Sequence, residues 1–281
     1  MSTAATPSTP LPVRTPAARA RGRHRRPERP EIPAGASTLV LAVPAPANPD
    51  SRRLAEEIAT LIRLDQPDAQ VTAAYLTAAT NVDGLGDCPS IQDVLGEAVE
   101  AGTPPIVVPL SPGPSAELDA ALAGFESVRR TDALGPHPLL AEAVHVRLSE
   151  AGLARADRAR LFAINTSADG IVLAGTGDAE ALELAEVTAV LLAARLAVPV
   201  VAASLDSAES VVAAMTHLRE TGCVQPALAP YLLGPEVNAE LLTSLADAIE
   251  CPLAEPIGTY PAVARLALGL YLGALGVEAE L

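Results

Sequence analysis

The sequence predicts an α/β protein built from two small units of the same kind in tandem. Apolar strands alternate with amphipathic helices from Thr38 onward, the same order recurs after residue 169, and matching landmarks follow in both copies. Such alternation favours mainly parallel sheets with helices on both faces. The predicted boundaries are a disordered Arg/Pro-rich tail over residues 1–36, a first domain over 37–152 and a second over 153–281.

In the first unit, short apolar runs bounded by Pro and Gly residues predict the strands, and apolar residues at helical spacing, such as Leu54, Ile58 and Ile62, predict the helices. The predicted strands are Thr38–Val43, Val71–Leu76, Ile106–Leu110 and a segment near Ser127–Asp132. The predicted helices are Arg52–Arg63, Ile91–Ala101, Ala116–Phe125 and one that begins at Pro138.

The same patterns predict the second unit. Its predicted strands are Gly170–Ala174, Pro199–Leu205 and Pro226–Leu233. Its predicted helices are Ala179–Leu196, Ser210–Glu220, Glu236–Ile249 and Pro261–Leu275. Specific residues recur as well: GPHP at 135–138 is mirrored by GTYP at 258–261, where Pro suits the first helical turn because its φ is fixed. These pairs indicate an internal duplication.

The body of the chain is strongly acidic. The net charge is −15, and seven Arg against two Glu within residues 1–31 leave −20 for the remainder. Such a body repels nucleic acid and anionic membrane surfaces, so neither is an expected partner. No apolar run reaches the ~18–20 residues of a membrane span. Three scattered cysteines (Cys88, Cys223 and Cys251) predict reduced thiols in the cytoplasm, with Cys88 half-exposed; the oligomeric state is left open.

Parallel sheets bind ligands beyond the carboxyl ends of their strands. The predicted site therefore lies among the loops that follow the strands: Pro44–Asp50, Thr77–Pro89, Ser111–Ser115, Gly175–Asp178 and Gly234–Pro235. The GTGD loop at 175–178 has a shape that can hold phosphate through its N–H groups. We interpret this loop as structural, because it lacks the Lys of a P-loop and the full glycine pattern of a dinucleotide site.

Several segments resemble the sirohydrochlorin chelatases, in the long form with two fused units that is found in cobalamin and sirohaem biosynthesis. The resemblance runs from Thr38 to Leu275, and it is carried most specifically by LGPHPLL and APYLL, and also by CPSIQDVL and GTYPAVARLAL. It implies two tandem chelatase-like domains and a lyase that inserts Co²⁺ or Fe²⁺ into a carboxylate-rich tetrapyrrole. Beyond this divalent metal, no cofactor is implied.

This chain departs from the family at both metal-site histidines. Imidazole suits the chemistry because it titrates near neutrality and binds divalent transition metals. Aligned on Asn48-Pro49, the first family histidine falls on Pro44; aligned on Gly113, the second falls on Glu117. Proline can neither bind a metal nor move a proton. The sequence therefore predicts a degenerate metal site, with Glu117 as its candidate ligand.

The resemblance also implies substrate contacts at Gly113, Ser115 and His137, although a residue such as His137 can equally bond the backbone where its helix begins. His145 and His217 are predicted on the surface. Four basic residues are candidates for binding a polycarboxylate: Arg52, Arg53, Arg129 and Arg130. The adjacent Arg129 and Arg130 are more typical of a solvated pair.

Two functions remain open from the sequence. One is a chelatase with altered residues, in which Glu117 acts with His137 or Asp50 and with carboxylates of the substrate. The other is a non-catalytic regulatory or carrier module that binds a tetrapyrrole, a metal or a protein on the same bilobal scaffold. The loss of both imidazoles, with Pro44 and Pro46 stiffening the first loop, favours the second.

Overall fold

The computed structural model describes residues 30–154 and 168–277. Most of the predicted tail (1–29), the start of the predicted second domain (155–167) and residues 278–281 lie outside these ranges. Pro30 accepts a hydrogen bond from Gln66 Nε2, and Ile32 packs against the hydrophobic core. The described body therefore begins before residue 37.

The first sheet is entirely parallel. Its strands are β1 (Leu39–Val43), β2 (Val71–Tyr75), β3 (Ile106–Pro109) and β4 (Arg129–Arg130). They lie in the order β2-β1-β3-β4. The helices of this half are α1 (Pro49–Asp65), α2 (Ile91–Glu100), α3 (Ala116–Leu122) and α4 (Pro138–Glu150), and a 3₁₀ turn at Val82–Gly84 precedes α2.

The second sheet repeats this order. Its strands are β5 (Gly170–Gly175), β6 (Val200–Ser204) and β7 (Pro226–Pro230), arranged β6-β5-β7 and all parallel. The helices are α5 (Ala179–Leu196), α6 (Ala208–Glu220), α7 (Ala239–Ala248) and α8 (Pro261–Leu275). Leu253 forms a parallel bridge with Leu228 of β7, in the place that β4 takes beside β3. The predicted fold class, two tandem α/β units of one topology, is confirmed.

Alternate strand residues face opposite sides of each sheet, and helices cover both sides. In the first sheet, Leu41 faces a central core, whereas Ala42 packs with residues of α2 and α3. In the second sheet, Leu173 faces the same central core, and Ala174 packs with residues of α6 and α7. The two sheets therefore share one hydrophobic core between them.

The last helix of each sequence half packs on the other half. Helix α4 lies against α5 and β7, and α8 lies against α1 and β3. Arg147 Nε on α4 donates to Ile257 O at 3.0 Å, and Tyr271 Oη on α8 donates to Ser37 O at 2.7 Å. An exchange of helices across the central core thus joins the two halves.

Two predictions about burial are wrong. His145 is only 5% exposed because α5 packs on α4, and its Nδ1 accepts a hydrogen bond from Arg195 Nε at 2.9 Å. Cys88 is buried because its loop folds back and pairs it with Ala79 through two backbone hydrogen bonds. His217 is exposed on α6, as predicted.

All three cysteines are free. Over residues 30–154 and 168–277, no helix combines the length and the apolar character needed to cross a bilayer.

Candidate functional site

A cleft of about 640 Å³ lies between the carboxyl ends of the two sheets. This volume is typical of a small-molecule site. The loops after β1, β3, β5, β6 and β7 all contribute, through these residues among others: Pro44, Pro46, Ser111–Glu117, Gly175–Asp178, Ser204–Asp206 and Glu236–Asn238. The loops after β1, β3 and β5 were predicted from the strand ends at residues that line the cleft. After β7 the lining residues are 236–238 instead of the predicted Gly234–Pro235, the predicted loop Thr77–Pro89 contributes none, and the loop after β6 was not predicted.

Within the cleft lining, the loop after β3 packs directly on the loop after β5. Gly177 has a φ of +114°, and a Cβ placed on it would lie 3.1 Å from Pro114 O and 2.6 Å from Ala181 Cβ. A Cβ on Gly113 would lie 3.7 Å from Ala181 Cβ. Glycine at 177 therefore permits a close approach of the two halves that no other residue allows without strain.

Tyr231, directly after β7, forms part of the cleft wall. Its Oη lies 2.9 Å from Thr188 Oγ1 of α5, and both side chains are buried. Burial raises the pKa of the Tyr231 phenol to about 12, and the hydrogen bond with Thr188 opposes this only in part. The phenol is therefore neutral at physiological pH and serves as a fixed hydrogen-bonding group.

Four carboxylates line the cleft: those of Glu117, Asp178, Asp206 and Glu236. Asp178 caps α5 by accepting from Glu180 N and Ala181 N. Asp206 Oδ2 accepts from Gly177 N at 2.7 Å. Backbone N–H groups thus hold two of these side chains at the ends of β5 and β6.

The other two carboxylates are held by the loops after β3 and β7. Glu117 Oε2 accepts from Ser115 Oγ at 3.0 Å. Glu236 accepts from Leu233 N at 2.9 Å and from Gly234 N at 2.6 Å. Burial raises the pKa of the Glu236 carboxyl, and these N–H bonds lower it again in part.

The turn at Glu236 explains one difference from the predicted elements. Helix α7 was predicted to begin at Glu236, but it begins at Ala239. Glu236 instead bonds the backbone of the turn, and Asn238 becomes the N-cap by accepting from Glu240 N at 2.8 Å. Glu236 therefore lies in the turn among the residues that line the cleft, and not in the helix.

The predicted site residues fall into two groups. Pro44, Gly113, Ser115 and Glu117 all line the cleft. His137 is not among the lining residues: it is the N-cap of α4, where its Nδ1 accepts from Leu139 N at 3.1 Å. Burial lowers the pKa of His137, which favours the neutral ring that can accept this bond. The substrate contacts implied by the resemblance stay predictions.

The basic residues considered for a polycarboxylate lie elsewhere. Arg52 donates three hydrogen bonds to carbonyl groups of the loop at 82–86. Arg53 lies beside Asp50 in a second groove of about 720 Å³, on the other side of the Gly234–Asn238 turn. Arg129 bonds Ala274 O, and Arg130 pairs with Asp119. None of the four lines the cleft.

No His, Arg or Cys lines the cleft within the described part of the chain. Within residues 30–154 and 168–277, no group of three or more His, Cys, Asp and Glu side chains is placed to hold a metal ion. Glu117 as a metal ligand therefore stays a prediction without partner ligands in that region. Asp206 and Glu236 were missed by the sequence argument, although both follow the carboxyl end of a strand.

Comparison with the solved structure of CbiX supports the architecture. CbiX, described as the terminal enzyme for biosynthesis of siroheme in denitrifying bacteria, is similar over 85% of this chain and 99% of its own, with 17% identity and a TM-score of 0.54. A periplasmic ribose ABC transporter protein from Conexibacter woesei is similar over 76% of this chain and 69% of its own, at 12% identity and a TM-score of 0.35. No protein-family model and no curated protein matches the chain. The chain therefore has the chelatase-like fold of CbiX.

Proposed function

We propose that this chain is a cytoplasmic, degenerate relative of the sirohydrochlorin chelatases, which binds a ligand in the cleft without inserting a metal. The observation that carries the proposal is the composition of the cleft. Pro44 and Glu117, where the family resemblance places the two histidines, both line it, and no histidine does so in the described part of the chain. Metal insertion needs side chains that remove pyrrole protons and present the metal, and imidazole does both.

The alternative is an active chelatase that uses Glu117 with His137 or Asp50. These three residues occupy different places: Glu117 lines the cleft, Asp50 lines the second groove, and His137 caps α4. The ring nitrogen Nδ1 of His137 is already an acceptor for Leu139 N. This separation favours the non-catalytic proposal.

The test is a metal-insertion assay with purified full-length protein, Co²⁺ and sirohydrochlorin, followed by the absorbance change of the macrocycle. We expect no rate above that of the spontaneous reaction. Turnover that rises in proportion to protein concentration would contradict the proposal.

A gain-of-function variant sharpens this test. Replacing Pro44→His and Glu117→His together restores both imidazoles at the places that the resemblance implies. We expect metal insertion to appear in this variant and to be absent from the matched control with Pro44→Ala and Glu117→Ala, because the control removes the same native side chains without adding a base or ligand.

A further inference from the structure

We infer that the cleft selects an organic cation of the polyamine class over the polycarboxylate that the chelatase resemblance implies. The inference rests on the proposed function, since it names the ligand class of the same cleft. It follows from three features: the sign of the charges around the cleft, the use already made of its backbone N–H groups, and one buried hydroxyl that has no partner among the described residues.

The charged side chains that line the cleft all have one sign. They are the carboxylates of Glu117, Asp178 and Asp206, and none of them forms an ion pair with an Arg in the described ranges. Glu236 is a fourth acidic side chain of the cleft, and burial raises its pKa. Charges of one sign lining a cleft with low-dielectric walls focus their field into it and concentrate counter-ions. A ligand with several positive groups therefore gains from this field, and one with many carboxylates is repelled.

Four backbone donors in or beside the cleft loops already bond carboxylates of the protein. The N–H groups of Glu180 and Ala181, at the start of α5, bond Asp178. The N–H of Gly177 bonds Asp206, and that of Gly234 bonds Glu236. Each of these loops presents a carboxylate of the protein where an anion would have to bind.

A buried hydroxyl provides an independent sign of a missing partner. Ser111 lines the cleft and is only 5% exposed, and its Oγ has no hydrogen-bond partner among the described residues. Buried polar atoms in native proteins nearly always have one, so an orphan at a cleft wall points to a partner that arrives from outside. A hydroxyl oxygen accepts from an ammonium or amine N–H.

An organic amine fits this arrangement better than a metal ion does. The four carboxylates belong to four different loops, and the described residues contain no converging group of three or more metal-binding side chains. A divalent metal needs several ligands around one point. A chain with ammonium groups spaced along it can instead meet carboxylates one at a time.

The test is a calorimetric titration of the full-length protein with spermidine at about 150 mM salt, where attraction between exposed charges is screened beyond ~8 Å. We expect one saturable site. Glu117→Gln is expected to weaken it about tenfold or more, because it removes a charged acceptor whose one hydrogen bond within residues 30–154 and 168–277 comes from Ser115 Oγ. The matched control is Glu97→Gln, an exposed acid on α2, which is expected to leave the affinity unchanged.

Ser111→Ala separates ligand binding from folding. It is expected to weaken spermidine binding about two- to tenfold while leaving the melting temperature equal or higher, since it removes a buried hydroxyl that has no partner in the described protein. A fall in stability with unchanged affinity would contradict the proposed role of the hydroxyl.

Three outcomes would overturn the inference: no saturable spermidine site, equal weakening by Glu97→Gln and Glu117→Gln, or displacement of spermidine by sirohydrochlorin. Failure here is distinct from failure of the proposed function. Metal insertion above the spontaneous rate overturns the proposed function, whereas the absence of both spermidine binding and turnover overturns the ligand class alone.

Discussion

The backbone N–H of Gly177 donates a hydrogen bond of 2.7 Å to Asp206 Oδ2, and this bond ties the loop after β5 to the loop after β6. The same glycine packs against Pro114 of the other half. One residue with a left-handed backbone thus joins three of the loops that build the cleft. The geometry of this residue leads to the first prediction.

Replacement Gly177→Ala is expected to destabilise the protein by about 1–3 kcal/mol, because the backbone at φ +114° is strained for alanine and the new Cβ would lie 2.6 Å from Ala181 Cβ. The measurement is the free energy of unfolding in urea. Gly96→Ala in α2 is the control: a Cβ there meets no atom within 4 Å, so we expect unchanged or higher stability. Equal losses from both variants would contradict the prediction.

The second prediction concerns the buried pair of Tyr231 and Thr188. Tyr231→Phe leaves Thr188 Oγ1 without its partner and is expected to cost about 1–3 kcal/mol of unfolding free energy. Adding Thr188→Val removes the orphaned hydroxyl, so the double variant is expected to be more stable than Tyr231→Phe alone. A double-mutant cycle measures this coupling, and strictly additive losses would show that the two hydroxyls do not interact.

Stability should depend on pH through His137. Burial lowers the pKa of this ring in the folded protein below its ordinary value of 6.5, so the unfolded chain binds more protons between the folded pKa and 6.5. The contribution of His137 to the free energy of unfolding is therefore full above pH 6.5, and it is lost as the pH falls through the pKa of the folded state. His137→Asn keeps an N-cap acceptor without titrating. We expect the stability of wild type relative to this variant to fall as the pH is lowered from about 7.5 to 5; a constant difference would refute the prediction.

Arg52 is expected to hold the loop at residues 82–86 through its bonds to Val82 O, Leu85 O and Gly86 O. Arg52→Ala should increase amide hydrogen exchange or protease cleavage in this loop about tenfold. The neighbouring Arg53→Ala is the control, because the one polar contact of Arg53 with another described residue is an exposed ion pair of 3.5 Å with Asp50. Equal effects of the two variants would show that the loss of a positive charge, and not the loss of the three hydrogen bonds from Arg52, loosens the loop.

Much of the fold was predictable because both faces of a parallel strand are buried. Leu39–Val43 and Gly170–Gly175 are buried throughout, and this produces the continuous apolar runs that mark strands in the sequence. The recurrence of Pro at the start of α4 and α8 indicated the duplication, and both helices do begin there. The cleft lies where parallel sheets generally bind ligands, beyond the carboxyl ends of their strands, and its position was predictable for that reason.

Other features were not predictable because they depend on contacts distant in sequence. His145 looks like a surface residue until Arg195, fifty positions further on, packs against it. Nothing in the apolar pattern of α4 indicates that it covers the sheet of the second half. Glu236 was assigned to a helix because its sequence neighbours favour one, whereas the turn after β7 uses its carboxylate as an acceptor.

The exchange of α4 and α8 has a consequence for how the molecule can be divided. A fragment ending near residue 152 would keep its sheet but lose α8, which packs on β3, and its α4 would lack α5 and β7, on which α4 packs. The reciprocal fragment has the same defect. Each half of the chain therefore has an uncovered apolar face, and the smallest unit able to complete the shared core is the whole chain or a pair of halves that exchange these helices.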